Sequence, residues 1–106
     1  MYHIQITKRA ERDIQDTLAY ISETLHNPSA ALDLFDEAEK QLQSLSDLPD
    51  RNPLVHDAIL AANGIRIQLI NNYIAFYIIN EAAKTVTIIR FMYSRRNWMS
   101  ILKEDL

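Results

Sequence analysis

Hydrophobic and polar residues alternate as in β-strands through the last third of the chain, residues 64–98. A first run places Arg66 and Gln68 between three apolar residues, which predicts a half-buried strand: Ile65, Ile67 and Leu69. The run at residues 73–79 is apolar at odd and even positions alike, as expected of a strand covered on both sides. Residues 85–91 are β-branched at nearly every position, which favours a third strand.

The first half of the chain follows a helical period instead. A short alternation of Tyr2, Ile4 and Ile6 predicts an opening strand, and Thr7 is a suitable N-cap for the helix that follows. Apolar residues then recur every three or four positions and predict an amphipathic helix of about five turns: Ala10, Ile14, Leu18, Ile21 and Leu25.

A second helix is expected directly after the first. Asn27 is its predicted N-cap and Pro28 its first residue. Its apolar stripe comprises Ala31, Leu34, Phe35, Ala38, Leu42 and Leu45. The short connection predicts an antiparallel helical hairpin whose stripes form the core.

No period holds over residues 46–63, where two prolines interrupt the chain. We expect a long functional or mobile loop there, anchored on the core by Ile59 and Leu60. The residues after Trp98 predict a short C-terminal helix. The order β-α-α-β-β-β predicts one α+β domain over residues 1–106, with the helical hairpin on one face of a mostly antiparallel four-stranded sheet. We expect the other face to be partly open, with Arg66, Arg90, Arg95 and Arg96 meeting there.

Composition excludes several kinds of chemistry. The 106 residues include no cysteine and one glycine, so thiol chemistry and a glycine-rich phosphate loop are both excluded. The three histidines lack metal-ligand spacing, and we expect neither a metal nor a small-molecule cofactor. No apolar run is long enough to span a membrane and the N-terminus does not resemble a signal peptide, so we expect a cytoplasmic protein without membrane contact.

The net charge of −3 is unevenly distributed. Residues 11–50 carry ten acidic side chains against two basic ones, whereas residues 64–98 carry five basic side chains against one acidic. This asymmetry indicates a polyanionic or acidic partner at the basic end. The alternative is that charges of both signs only solvate the surface.

A basic and aromatic cluster follows the last predicted strand. It combines guanidinium groups that suit phosphates with rings that stack on bases: Arg90, Tyr93, Arg95, Arg96 and Trp98. A metal-independent RNA-cleaving site needs a base, an acid and cations for the phosphorane, and Tyr93 or His56 would supply the proton transfers. In the alternative interpretation, Tyr93 and Trp98 pack the terminal segment while the arginines pair with the acidic helices.

The whole chain resembles the RelE/ParE toxins of bacterial toxin–antitoxin modules. The resemblance depends on an ordered set: a helix beginning TKRAERDIQDTLAYI, then GIR, then NNYIAFYII, then TVTIIRFMYSRRNW. It implies a toxin neutralised by a cognate antitoxin that wraps across the helical hairpin and the sheet. It also implies one of two activities, which are cleavage of mRNA in the ribosome by RelE-like members and poisoning of DNA gyrase by ParE-like members.

When the residues of the RelE-like nuclease site are matched one by one to this sequence, the site is incomplete. Arg66 and Arg95 match arginines of the family. Ile74 stands where RelE-like nucleases have an arginine, and Ile101 stands where they have a tyrosine near the C-terminus. The resemblance therefore favours a ParE-like toxin that acts by binding.

Three hypotheses remain open at this point. A ParE-like toxin would contact its target, DNA gyrase, through Arg95, Arg96, Trp98 and His56. A RelE-like endonuclease acting on ribosome-bound mRNA would use Arg66, Arg90, Tyr93 and Arg95 as catalytic residues. The third hypothesis is a non-toxic protein-interaction module.

Overall fold

The computed structural model describes all 106 residues and confirms the α+β architecture. The strands are β1 (His3–Ile6), β2 (Arg66–Ile70), β3 (Tyr73–Asn80) and β4 (Thr85–Tyr93). The α-helices are α1 (Lys8–Ala19), α2 (Pro28–Ser44), α3 (Ala58–Ala62) and α4 (Trp98–Asp105). A π-helix (Tyr20–Thr24) continues α1, and a 3₁₀-helix (Pro49–Arg51) lies in the connection after α2. No helix is long and apolar enough to cross a membrane.

The four strands form one sheet in the order β1-β4-β3-β2. β2, β3 and β4 are an antiparallel meander, and β1 pairs in parallel with the first part of β4. The two reversals place Asn71 and Lys84 at positive φ, which asparagine tolerates well. The register shifts between Phe76 and Tyr77, so β4 has one extra residue opposite β3.

The caps of the helical hairpin confirm the predicted boundaries. The Thr7 hydroxyl accepts a hydrogen bond from the N–H of Ala10, and the Asn27 side chain accepts one from Ala30. The first helix does not keep its period to the end, however. The N–H of Leu25 bonds to the carbonyl of Tyr20 in a π turn, and this rotates Leu25 out to solvent. The expectation that Leu25 belongs to the buried stripe was therefore wrong.

The hairpin packs on one face of the sheet, here called the hairpin face. Its core contains the predicted stripe of α2 together with the inward residues of the strands: Ala31, Leu34, Ala38, Leu42, Leu45, Ile70, Ala75, Tyr77, Val86, Ile88 and Phe91. Phe35 is an exception, because its side chain stays 43% exposed.

The opposite face of the sheet is covered as well, which corrects the prediction of a partly open face. A second apolar cluster joins that face to α3 and α4: Val55, Leu60, Ile65, Ile74, Phe76, Met92 and Leu102. The predicted C-terminal helix is confirmed as the element that supplies Leu102. Two opposed cores leave little of the sheet accessible.

The inward and outward positions of β2 differ from the prediction. Gln68 points to the hairpin face and is 9% exposed, whereas Leu69 is 59% exposed. Gln68 is buried because its side-chain oxygen accepts hydrogen bonds from Arg51 and Asn52. The buried amide thus holds the 46–57 connection against the sheet.

The segment at residues 46–63 is more ordered than expected of a long loop. It contains the 3₁₀-helix and α3, and the Asp57 carboxylate caps α3 by accepting from the N–H groups of Ile59 and Leu60. Leu60 is a buried anchor as predicted, but Ile59 is 54% exposed.

Arg90 joins three elements through its ion pairs with two carboxylates. Its Nε and Nη2 donate to Asp13 of α1 at 2.7 and 3.2 Å, and its Nη1 donates to Asp105 of α4 at 2.7 Å. The side chain is 3% exposed. Burial alone would lower the pKa of Arg90, but the hydrogen bonds to Asp13 and Asp105 outweigh it and raise the pKa, so the guanidinium stays charged.

Removing one side of this pair tests its contribution to stability. We expect Asp13→Ala to lower the free energy of unfolding by about 3 kcal/mol, because it leaves a buried charge without its closest partner. Asp16→Ala, one turn away on the exposed surface of α1, should change it by about 0.5 kcal/mol or less. Urea unfolding of both variants measures the difference, and equal stabilities would show that the buried pair is not a structural requirement.

Candidate functional site

The structure does not bring the four predicted catalytic residues together. Arg66 lies in β2, where its Nη1 donates to the backbone carbonyl of Asn52. Arg90 lies two strands away in β4, and its guanidinium group pairs with Asp13 and Asp105. The expectation that the arginines meet on an open face was therefore wrong, because Arg66 and Arg90 lie two strands apart and each is held by its own partners.

Arg66 belongs to a polar network that fixes the 46–57 connection. The Asn52 side chain donates to Gln68 and to the Tyr77 hydroxyl, which itself donates to the carbonyl of Pro49. Burial raises the pKa of Tyr77, so its hydroxyl keeps its proton and remains a donor. The network provides hydrogen-bond partners for buried polar atoms. The role of Arg66 in it is structural.

The positions that the family resemblance assigns to nuclease residues are apolar and packed. Ile74 is 4% exposed and lies in the cluster with Phe76, Met92 and Leu102. Ile101 packs against the same cluster from α4. Neither position therefore supplies a guanidinium or a hydroxyl group.

The four predicted target-binding residues lie at both ends of α4. Arg95 and Arg96 are exposed in the turn that follows β4, and neither forms an ion pair. Trp98 begins α4 and packs on Phe76 with ring centroids 5.2 Å apart, so it is partly structural. His56 is exposed beside Asp57, whose carboxylate accepts from Lys103 near the end of α4 at 2.7 Å. We call the exposed side of α4 with Arg95, Arg96, Trp98 and His56 the α4 surface.

The sequence analysis missed an apolar groove of about 390 Å³ on the hairpin side. It lies between β1, α1 and α2 and is lined by Ile4, Ile6, Ile14, Phe35, Ala38, Glu39, Leu42 and Gln43. Ile6 and Phe35 are 45% and 43% exposed, although both occupy apolar positions of their elements. The periodicity identified these residues but assigned them to the core, since it cannot show which apolar positions lack a covering element.

The arrangement has no metal-binding geometry. Nowhere in the chain do three or more His, Asp or Glu side chains come close enough to hold an ion. Of the predicted nuclease set, only Tyr93 carries a hydroxyl group, and its side chain is exposed.

Comparison with known proteins gives a consistent result. Residues 4–98 match the family model described as the ParE toxin of the type II toxin–antitoxin system, parDE. No curated protein is similar enough in sequence to count as a relative.

Solved structures share the fold at low sequence identity. The chromosomal ParDE toxin–antitoxin system from P. aeruginosa is similar with a TM-score of 0.71 and 16% identity, over 88% of this chain and 96% of that chain. The RelBE2 toxin–antitoxin complex from Mycobacterium tuberculosis has a TM-score of 0.60 and 20% identity, over 87% and 96%. The intact E. coli RelBE complex has a TM-score of 0.60 and 14% identity, over 91% and 100%.

The Asp57–Lys103 contact that ties α3 to α4 predicts a pH effect on stability. The hydrogen bond from Lys103, followed by those from the N–H groups of Leu60 and Ile59, lowers the pKa of Asp57. Because the folded pKa lies below the unfolded one, Asp57 stabilises the fold above about pH 4. That stabilisation is lost as the pH falls through the folded pKa.

Asp57→Asn keeps a capping side chain but removes the charge. We expect this variant to be less stable than the wild type at neutral pH, with the gap closing as the pH falls below about 4. Thermal unfolding across pH measures the gap, and the exposed Asp50→Asn is the matched control. A gap that does not change with pH would contradict this role of Asp57.

Proposed function

Since this chain belongs to the ParE toxin family of type II toxin–antitoxin systems, we propose that it inhibits growth by binding DNA gyrase through its α4 surface. We propose further that a cognate antitoxin neutralises it by occupying the apolar groove. The membership identifies a toxin of the RelE/ParE superfamily; the target and the two surfaces are the proposal.

The packing of Ile74 is the observation that favours a binding mechanism over mRNA cleavage. Catalysis at a phosphate needs preorganised cationic donors where negative charge develops. Here the corresponding position is an isoleucine, buried among Phe76, Met92 and Leu102. A site built from these side chains offers no group that can stabilise a phosphorane.

The distribution of unpaired charge supports the α4 surface as the target-binding region. Of the four arginines expected to meet on one face, Arg66 and Arg90 are held by internal partners, whereas Arg95 and Arg96 are exposed and form no ion pair. Exposed arginines beside an aromatic residue are common at protein interfaces, where they contribute much of the binding energy. The surface therefore suits recognition of a partner better than catalysis.

The groove supports the assignment of the antitoxin. It presents apolar side chains from three elements, and the Glu39 carboxylate of α2 lies among them. A partner segment with apolar residues spaced along a helix or strand, flanked by basic residues, is complementary to both features. The similar structures from P. aeruginosa, M. tuberculosis and E. coli are toxin–antitoxin systems or complexes.

A supercoiling assay tests the target. We expect the purified chain to inhibit supercoiling by DNA gyrase, and a variant with Arg95→Ala and Arg96→Ala to inhibit at least about tenfold more weakly, because it loses two interface contacts. Arg12→Ala with Lys8→Ala, which removes two exposed charges from α1, is the control and should inhibit like the wild type. Undiminished supercoiling at a stoichiometric excess of wild-type chain would overturn gyrase as the target.

Co-expression with the antitoxin tests the groove. We expect Phe35→Glu to remain toxic but to bind the antitoxin at least about tenfold more weakly, because a charge enters the apolar contact. Leu32→Glu is the matched control, since Leu32 is also exposed on α2 but does not line the groove. Equal neutralisation of both variants would place the antitoxin elsewhere.

A further inference from the structure

A cleft of about 630 Å³ opens where α1 and the π-helix pass the ends of β3 and β4. Its aromatic and basic lining comes from Tyr20, Tyr73, Phe91, Tyr93, Arg9 and Arg96. The cleft shares only Arg96 with the α4 surface and is separate from the apolar groove. Its volume lies within the range of about 300–1,000 Å³ that is usual for ligand sites.

Three rings of the cleft are in contact with one another, and two of its tyrosines are exposed. Tyr73 stacks on Phe91 with centroids 5.4 Å apart and planes 4° apart, and it meets Tyr93 edge-on at 5.5 Å. Tyr20 and Tyr93 remain 54% and 43% exposed. Tyr20 begins the π-helix, an irregularity that frequently marks functional sites.

The two arginines and two aspartates that line the cleft differ in their pairing. The Asp13 carboxylate accepts hydrogen bonds from Arg90 and from the N–H of Phe91. Arg96 forms no ion pair, and Arg9 reaches Asp13 only at 3.7 Å from an exposed position. Asp16 is the one carboxylate of the cleft without a hydrogen bond or an ion pair.

We propose that this cleft binds one nucleotide of a single-stranded nucleic acid, with its base on the exposed rings of Tyr20 and Tyr93 and its phosphate on Arg96. Bases stack on aromatic side chains whatever their sequence, and guanidinium groups form strong hydrogen bonds with phosphate oxygens. An acidic peptide would also suit the arginines, but it has no flat base to stack on the exposed rings of Tyr20 and Tyr93. The Asp16 carboxylate accepts hydrogen bonds from the N–H groups of a base.

Binding of a fluorescent single-stranded DNA of about ten nucleotides to the purified full chain tests this site by anisotropy at low salt. We expect saturable binding that Tyr20→Ala weakens by at least about fivefold, because a stacking surface is lost. Arg96→Ala should weaken it by about tenfold, since a phosphate contact is lost. Arg95→Ala is the matched control, because Arg95 is an adjacent exposed arginine outside the cleft, and it should change affinity by less than about threefold.

Three outcomes would overturn the nucleotide site. These are no saturable binding by the wild-type chain, equal losses from the two arginine variants, and equally tight binding of a fluorescent glutamate peptide. Circular dichroism of each variant confirms that the fold is retained, which the exposure of Tyr20 and Arg96 leads us to expect.

The proposal does not depend on gyrase being the target. Gyrase inhibition without oligonucleotide binding would contradict only the proposal that the cleft binds a nucleotide. Oligonucleotide binding without inhibition would contradict only the gyrase proposal.

Discussion

The buried guanidinium of Arg90 is the contact on which the rest of the architecture depends. Its pairing with Asp13 and Asp105 holds α1 and α4 against the same strand from two sides. Beyond Ile88, where β1 ends its pairing, the edge of β4 would otherwise be open, and the Asp13 carboxylate also accepts from the N–H of Phe91 there. The Asp13 carboxylate thus pairs with a buried charge and also accepts a hydrogen bond from an N–H group on the part of the β4 edge that β1 does not cover.

Covering both faces of the sheet decides where this protein can act. The hairpin covers one face and α3 with α4 covers the other, so little of either face of the sheet is accessible. Binding is confined to the periphery, where side chains without internal partners remain. The α4 surface, the apolar groove and the aromatic cleft are three such places, and the α4 surface and the cleft share Arg96. Several peripheral surfaces fit a small toxin that engages both a target and an antitoxin.

Local sequence rules predicted the elements but not all of their contacts. The caps Thr7 and Asn27 and the stripe of α2 could be recognised because they depend on neighbours three or four residues away. The Arg90–Asp13 pair could not be identified from local patterns because its members lie 77 positions apart along the chain. Gln68 was expected outside because alternation favours apolar burial, and its burial depends on Arg51 and Asn52 from a segment without any period. The apolar groove was missed for the opposite reason, since periodicity alone cannot distinguish a covered apolar position from an uncovered one.

The central claim is that this RelE/ParE-type toxin acts by binding and does not cleave mRNA. Mapping the 5′ ends of mRNA in a purified bacterial translation reaction, with and without the chain, tests that claim most directly. The account predicts the same set of ends in both reactions, because Ile74 and Ile101 fill the nuclease positions with packed apolar side chains. New ends within ribosome-bound codons that disappear with Arg95→Ala would contradict it and make the protein an endonuclease.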